Sequence, residues 1–242
     1  SCGLCEYCSE SRPALCPVGT EIRASGRLQD GTSRFSYKGQ EILHFAGVSA
    51  FSNYTVLPEG SVLKIPKDLP FELAALLGCS VITGVGSVIN TTNLKPGRTV
   101  AVFGVGGVGV NIVQGAVLSG AKRIIAIDRH DVRLEQVREF GATDTINGSR
   151  EDPVESIRNL TEGRGVDFAF EAVGLPITIQ QAYNSLAKRG TAIIVGIPAN
   201  SATITLTALP FAFEERVLTG SLYGSAVPRN DIPRMIDLYK AG

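Results

Sequence analysis

Thr99-Val-Ala-Val-Phe103 runs directly into Gly104-Val-Gly106-Gly107-Val108-Gly109, and after an apolar stretch to Gly120 comes Arg123-Ile-Ile-Ala-Ile127, closed by Asp128. The order is a β-branched apolar run, a glycine turn, a helical run, a second apolar run and an acid. A lone G-x-G-x-x-G matches many loops by chance; here the strand before it, the helix after it and the acid about 20 residues on supply the context a dinucleotide site needs. Each glycine has a mechanical reading. Gly104 makes the tight turn, Gly106 lets the backbone approach a pyrophosphate, and Gly109 lets helix and strand pack closely. The helix start after Gly106, with Gly107 and Val108 in its first turn, offers N–H groups and a positive dipole end to phosphate. Asp128 is placed to accept hydrogen bonds from a ribose.

At 242 residues the chain exceeds a typical single domain, so two domains, or one and part of another, are expected. Lysine plus arginine balance aspartate plus glutamate at 23 each, which argues against an electrostatic grip on nucleic acid or anionic membrane. No continuous apolar run reads as long enough to span a bilayer, and no signal sequence opens the chain. The chain starts without methionine, inside a cysteine cluster, and is expected to be a fragment of a longer protein.

Four of the five cysteines stand as Cys2-x2-Cys5-x2-Cys8-x7-Cys16. Four thiolates on a tight loop suit a closed tetrahedral zinc that folds the segment and leaves no open position for chemistry. An iron–sulfur cluster is the alternative that Cys16-Pro17 invites, but that motif takes its fourth cysteine after three residues, not seven. Disulfides or free thiols remain a further possibility. Metal thiolates in a reducing cytoplasm fit the odd count and close spacing best.

From Glu21 to Pro66 the text reads as loops and short strands, including Ser52-Asn-Tyr-Thr-Val-Leu57, as in a barrel-like, mostly antiparallel domain. His44 has no neighbouring ligand type and reads as structural. A helical pattern from Pro70 to Ile89 is broken at Gly78-Cys79, and Cys79 reads locally as a small buried hydrophobe. After Asp128 the rhythm continues: a helix from Asp131 to Phe140, a short strand at Ala142–Ile146, and a helix capped by Asp152-Pro153. Then come a strand at Val166–Phe170, a helix at Pro176–Lys188, a strand at Thr191–Val195, an apolar run at Arg216–Leu222 and a final helix at Asn230–Lys240. This alternation predicts an α/β fold with a doubly wound parallel sheet.

Three motifs in one order, Cys2/Cys5/Cys8/Cys16, then Gly78-Cys79 with Thr83-Gly84-Val85-Gly86, then Gly104–Gly109, resemble the zinc-containing alcohol dehydrogenases of the medium-chain dehydrogenase/reductase family. The likeness extends through Asp30-Gly-Thr-Ser-Arg-Phe35, Lys38-Gly39 and His44 to Tyr54-Thr-Val56, essentially the whole chain. It implies a Rossmann domain over 81–222. It also implies part of a GroES-like, mostly-β catalytic domain over 1–80, whose structural zinc lobe is 1–26, with 223–242 starting the return to that domain. It reverses the local reading of Cys79, which matches a thiolate ligand of a catalytic zinc, and places Thr83 beside the nicotinamide. Val108, Val195, Ile197, Ser221 and Tyr223 match positions lining the cofactor cleft, and Val173 matches part of the adenine pocket.

The implied activity is hydride transfer between NAD and an alcohol, interconverting alcohols and aldehydes or ketones, with zinc as Lewis acid on the substrate oxygen. Two further ligands of that zinc, a cysteine and a histidine, match nothing in residues 1–242, so Cys79 alone leaves the metal incomplete. A 2′-phosphate beside Asp128 would meet a like charge, so NAD is favoured; Arg129 and Arg133 complicate this, although a base at Arg133 is compatible with NAD and ribose contact. The same family contains dehydrogenases of S-(hydroxymethyl)thiols, which form the second reading, and a non-catalytic dinucleotide-binding module forms a third. A cytoplasmic homodimer or homotetramer acting on a small-molecule alcohol or aldehyde is the implied setting.

Overall fold

Every residue from Thr99 to Phe103 is buried, and the side chains alternate between two cores: Val100 and Val102 on one face of the sheet, Ala101 and Phe103 on the other. A strand apolar on both faces belongs at the centre of a parallel sheet covered by helices on each side. In the computed structural model, which describes residues 1–242, the chain divides into a smaller unit, Ser1–Pro70 with Ala226–Gly242, and a larger one, Phe71–Ser225.

The smaller unit begins with helices α1 (Glu6–Ser9) and α2 (Pro17–Ser25), followed by strands β1 (Phe35–Tyr37) and β2 (Gln40–Ile42). β1 and β2 form an antiparallel hairpin in which Tyr37 faces Gln40. Its turn places Lys38 at φ 49° and Gly39 at φ 78°, the two left-handed residues that match the twist of a tight hairpin. This hairpin is the unit's only sheet. Ser52–Leu57, expected as a β-rich run, is irregular backbone, because β propensity without a strand to pair with does not make a ladder.

In the larger unit, α3 (Phe71–Leu76) passes through a π turn at Leu77–Val81 into α4 (Ile82–Ile89). The break expected at Gly78-Cys79 is instead a one-residue widening of a continuous helix, a local form common at functional sites. At 19 residues and mean hydropathy 1.8, this helix is long and apolar enough to cross a membrane by length and composition, which corrects the expectation that no such run exists. Its second half, Ile82–Val88, is buried inside the unit.

Then follow β3 (Thr99–Phe103), α5 (Gly107–Leu118), β4 (Arg123–Asp128), α6 (Asp131–Glu139), β5 (Asp144–Asn147), α7 (Pro153–Leu160), β6 (Val166–Glu171), α8 (Pro176–Asn184), β7 (Leu186–Ile194), α9 (Leu209–Phe213) and β8 (Val217–Gly220), before α10 (Pro228–Ala241) ends the chain in the smaller unit. The sheet order is β5-β4-β3-β6-β7-β8 and every pairing is parallel. This is the doubly wound Rossmann order, whose direction of winding reverses between β3 and β6. Asp152 caps α7 as expected, its Oδ1 accepting from Val154 N at 2.8 Å with Pro153 in the first turn. The helix expected to reach Lys188 stops at Asn184, because β7 begins two residues later and takes those residues into the sheet. β5 and β8 are the edges of the sheet, and the β-branched stretch Ala202–Thr207 is not a strand.

β3 and β6 are tied at their starts by Asp167. Its carboxylate accepts from Thr99 N (2.9 Å), Thr99 Oγ1 (2.8 Å), Arg164 Nη2 (2.6 Å) and Arg98 Nη1 (3.2 Å). Burial pushes its pKa up, but Arg164 and the two Thr99 donors outweigh this and hold the carboxyl well below its ordinary range. A depressed carboxyl stabilises the fold fully above its unfolded pKa, near 4, and loses that contribution as pH falls. Asp167→Ala is expected to cost about 2 kcal/mol at neutral pH. In chemical denaturation followed from pH 7 to pH 3, the gap between variant and parent should narrow; a gap constant with pH would contradict the assignment.

Candidate dinucleotide cleft and zinc lobe

At the end of β3 the chain turns through Gly104, which sits at φ +84° and donates its N–H to Ile127 O at 2.7 Å. Gly106 caps the start of α5 in an extended conformation. One turn further, Gly109 lies so close that a Cβ there would fall on the Gly104 carbonyl oxygen and 2.8 Å from its carbon. The missing side chain lets the helix start butt against the turn, aiming its first N–H groups outward, where an anion is favoured.

Asp128 closes this turn from β4. It is 9% exposed; Oδ2 accepts from Val105 N at 3.0 Å, and Oδ1 from Arg129 N (2.8 Å) and His130 N (3.0 Å). A carboxylate offers about four acceptor sites, so three backbone donors fix its direction and leave capacity for another hydroxyl. Arg133 on α6 reaches to 3.7 Å from Oδ2 with half its side chain exposed.

A cleft of about 470 Å³ opens beside these groups. It is lined by Gly104, Gly106, Asp128, Arg129, Arg133 and Val173 among the residues expected from sequence, together with His130, Leu175, Ile177, Thr178 and Gln181, which the sequence reading passed over. Leu175, Ile177, Thr178 and Gln181 follow β6, the second central strand, while His130, which reads from sequence as exposed loop, follows β4. Those after β6 were recoverable from the rule that ligands lie at the carboxyl ends of strands flanking the reversal of strand order. Apolar walls with a few convergent polar groups suit a flat heterocycle attached to a sugar.

The remaining expected residues lie outside this cavity. Val108 is half-buried on α5, Val195 is buried after β7, and Ile197 is 84% exposed. Ser221 is buried after β8, its hydroxyl 2.7 Å from Thr91 Oγ1. Thr83 is buried on α4. Tyr223 donates its hydroxyl to Gly78 O at 2.5 Å and so sits on the π turn that carries Cys79. Burial, then the nearby Cys79, push the Tyr223 phenol above its ordinary value.

In the smaller unit, the sulfurs of Cys2, Cys5, Cys8 and Cys16 all lie within 4.8 Å of one another. Cys2 Sγ accepts from Cys5 N at 3.3 Å, and Cys16 Sγ accepts from Cys2 N at 3.2 Å. Zinc–sulfur bonds of about 2.3 Å in a tetrahedron require sulfurs roughly 3.8 Å apart, so the four donors fit the ion with little rearrangement. Burial pushes the Cys16 thiol up, but the N–H groups of Gly19 and Cys2 and the adjoining thiols bring it down to about 6. At Cys5 the Cys8 N–H lowers the value, while burial and three neighbouring thiols raise it to about 11. No disulfide joins any pair. His44, 2% exposed, accepts from Arg34 N through Nε2 at 3.2 Å and packs on Phe35, as a structural histidine does.

Cys79 is exposed, against the local reading of a buried hydrophobe, because the π turn rolls it off the apolar face. The lobe is the one group of three or more metal-ligand residues in the structure. Residues 1–242 therefore do not by themselves complete a second zinc site at Cys79.

A family model described as zinc-binding dehydrogenase matches residues 107–241. An alcohol dehydrogenase class-3 of Dictyostelium discoideum is 39% identical over 98% of this chain and 64% of its own length. An S-(hydroxymethyl)glutathione dehydrogenase of Escherichia coli is 40% identical over the same shares. Among solved structures, an alcohol dehydrogenase zinc-binding domain protein from Burkholderia ambifaria superposes with a TM-score of 0.94 at 35% identity, covering all of this chain and 66% of that one. The chain thus spans about 64% of the length of the curated relatives it matches.

Two variants probe the two sites. Gly109→Ala should force helix and turn apart and lower the melting temperature; an unchanged melting temperature would contradict the close approach. Cys8→Ala should lose the lobe's zinc by elemental analysis and lower the melting temperature. A variant with full zinc content would contradict the tetrathiolate.

Proposed function

Because the chain belongs to the zinc-binding dehydrogenase family, we propose that it is the cofactor-binding part and zinc lobe of an NAD-linked, zinc-dependent alcohol dehydrogenase that interconverts alcohols with aldehydes or ketones. The observation that carries this reading is the Asp128 carboxylate, held by three backbone N–H groups at the mouth of the glycine turn.

In this reading the pyrophosphate rests on the first turn of α5, where N–H groups and helix dipole favour negative charge. Val173, Leu175 and Ile177 would hold the adenine, and Asp128 would accept from a ribose hydroxyl. Bound NAD supplies the hydride acceptor. Thr83, Val108, Val195, Ile197, Ser221 and Tyr223 are assigned to the nicotinamide half. Cys2, Cys5, Cys8 and Cys16 hold a structural zinc whose binding free energy is folding free energy. Cys79 is assigned as a thiolate ligand of the catalytic zinc. We assign residues 1–80, with 223–242 as the start of the return, to a GroES-like catalytic domain, and the protein to the cytoplasm as a homodimer or homotetramer.

Asp128 also sets the choice of cofactor. A 2′-phosphate would stand against a largely buried carboxylate that three backbone N–H groups hold in place, and like charges in a partly desolvated site repel strongly. Arg133, half in solvent and 3.7 Å from the same carboxylate, partly neutralises it and is free to contact a ribose. A second reading, oxidation of an S-(hydroxymethyl)thiol, is supported by the name carried by the Escherichia coli relative. Turnover of S-(hydroxymethyl)glutathione against simple primary alcohols by the full-length protein separates the two.

Asp128→Gly removes the acceptor and the repulsion together. Isothermal titration should show weaker NAD binding and stronger NADP binding, moving the ratio of affinities by about tenfold or more, the factor about 1.4 kcal/mol produces. Unchanged NAD affinity would remove Asp128 as the ribose ligand.

A further inference from the structure

Glu171 ends β6 and is 0% exposed. One carboxylate oxygen, Oε1, accepts three hydrogen bonds: from Val173 N (2.9 Å), Gly174 N (2.8 Å) and Thr178 Oγ1 (2.6 Å). The other, Oε2, is buried without a partner. A buried carboxyl with one oxygen overcommitted and the other orphaned is an expensive way to fill a core, since an apolar side chain of similar volume carries no desolvation cost. Packing therefore gives no reason for a glutamate here.

The connections give one. β6 is the strand across the reversal of winding from β3, and Glu171 pairs with Phe103, the last residue before the glycine turn. Its side chain fixes the turn after β6, and that turn carries Val173, a wall of the cleft whose methyl occupies the space a side chain at Gly104 would need. Its main-chain carbonyl accepts from both Val195 N and Gly196 N at 2.8 Å, which fixes the turn after β7, where the nicotinamide half has been assigned. Glu171 itself is not among the residues lining the cleft.

We propose that Glu171 is a positioning residue for the dinucleotide cleft. Its carboxylate holds the Val173 wall against the glycine turn while its carbonyl holds Val195–Gly196, so one buried residue sets both halves of the grip on a cofactor it does not touch. This rests on the dinucleotide reading of the cleft. The working element is the acceptor Oε1, which an amide oxygen reproduces and a methyl does not.

The test measures dissociation constants for AMP and for NADH by titration calorimetry, on the full chain and well below its melting temperature, beside melting curves for each protein. Glu171→Ala should raise both constants by about tenfold or more, and Glu171→Gln should stay within about threefold of the parent even where its melting temperature falls. A lowered melting temperature with unchanged constants in Glu171→Ala, the signature of a purely structural role, overturns the proposal; so does failure of Glu171→Gln to rescue. If Glu171→Ala does not fold, Glu171→Met, which keeps the volume but has no acceptor oxygen, and Glu171→Gln decide. The methionine should weaken AMP binding by about threefold and the glutamine keep it, and two equal constants overturn the proposal. A parent chain that binds neither AMP nor NADH overturns the dinucleotide reading instead.

Discussion

The approach of α5 to the turn after β3 is the constraint on which the rest depends. A helix start can present its free N–H groups to a phosphate only if the backbone leading into it stays out of the way. Here that requires the Gly104 carbonyl to occupy the volume where Gly109 would carry a side chain. With that contact made, β3 is committed to the sheet centre, α5 to one face, and the cleft to the carboxyl ends of β3 and β6. The apolar alternation of Val100 to Phe103 supplies the burial that holds the arrangement, at about 1.5–3 kcal/mol for each large side chain removed from water.

Electrostatics at the mouth follows from the same geometry. Three backbone donors converge on Asp128 because β4 ends level with the glycine turn and the chain then bends sharply into α6. The carboxylate is thus a fixed negative charge, not a mobile surface group, and it decides what may sit beside it. Across the reversal of winding, Glu171 has the complementary task of shaping the wall rather than meeting the ligand. One acid faces the cleft and the other stands behind it.

Much of the larger unit was legible in the sequence because its signals are local. The strand–turn–helix around Gly104–Gly109, the Asp152-Pro153 cap and the strand at Val166 all rest on neighbouring residues and were found within a few positions. The misreadings share a different cause. Gly78-Cys79 reads as a helix break because propensity counts glycine against a helix; packing of Ile82–Val88 inside the larger unit keeps the helix continuous and widens one turn instead. Lys188 reads as helix because nothing local announces that β6 will recruit Leu186 onward as β7. Ser52–Leu57 has the composition of a strand but no partner.

The site divides in the same way. Gly104, Gly106, Asp128, Arg129, Arg133 and Val173 converge on one cleft, whereas Ile197 and Tyr223 are placed by turns between elements that no periodicity describes. The cysteine lobe was legible from spacing alone, since four thiols on so short a segment have few ways to avoid one another. Cys79 was not, because its exposure depends on the π turn.

The proposed pose seats a nucleotide diphosphate on the first turn of α5 with its ribose at Asp128. A crystal structure of the chain soaked with ADP-ribose tests it most directly. The prediction is density for the diphosphate over the Gly104–Val108 backbone, with a ribose hydroxyl within hydrogen-bond reach of the Asp128 carboxylate. Density elsewhere on the sheet, or a ribose turned away from Asp128, would contradict it.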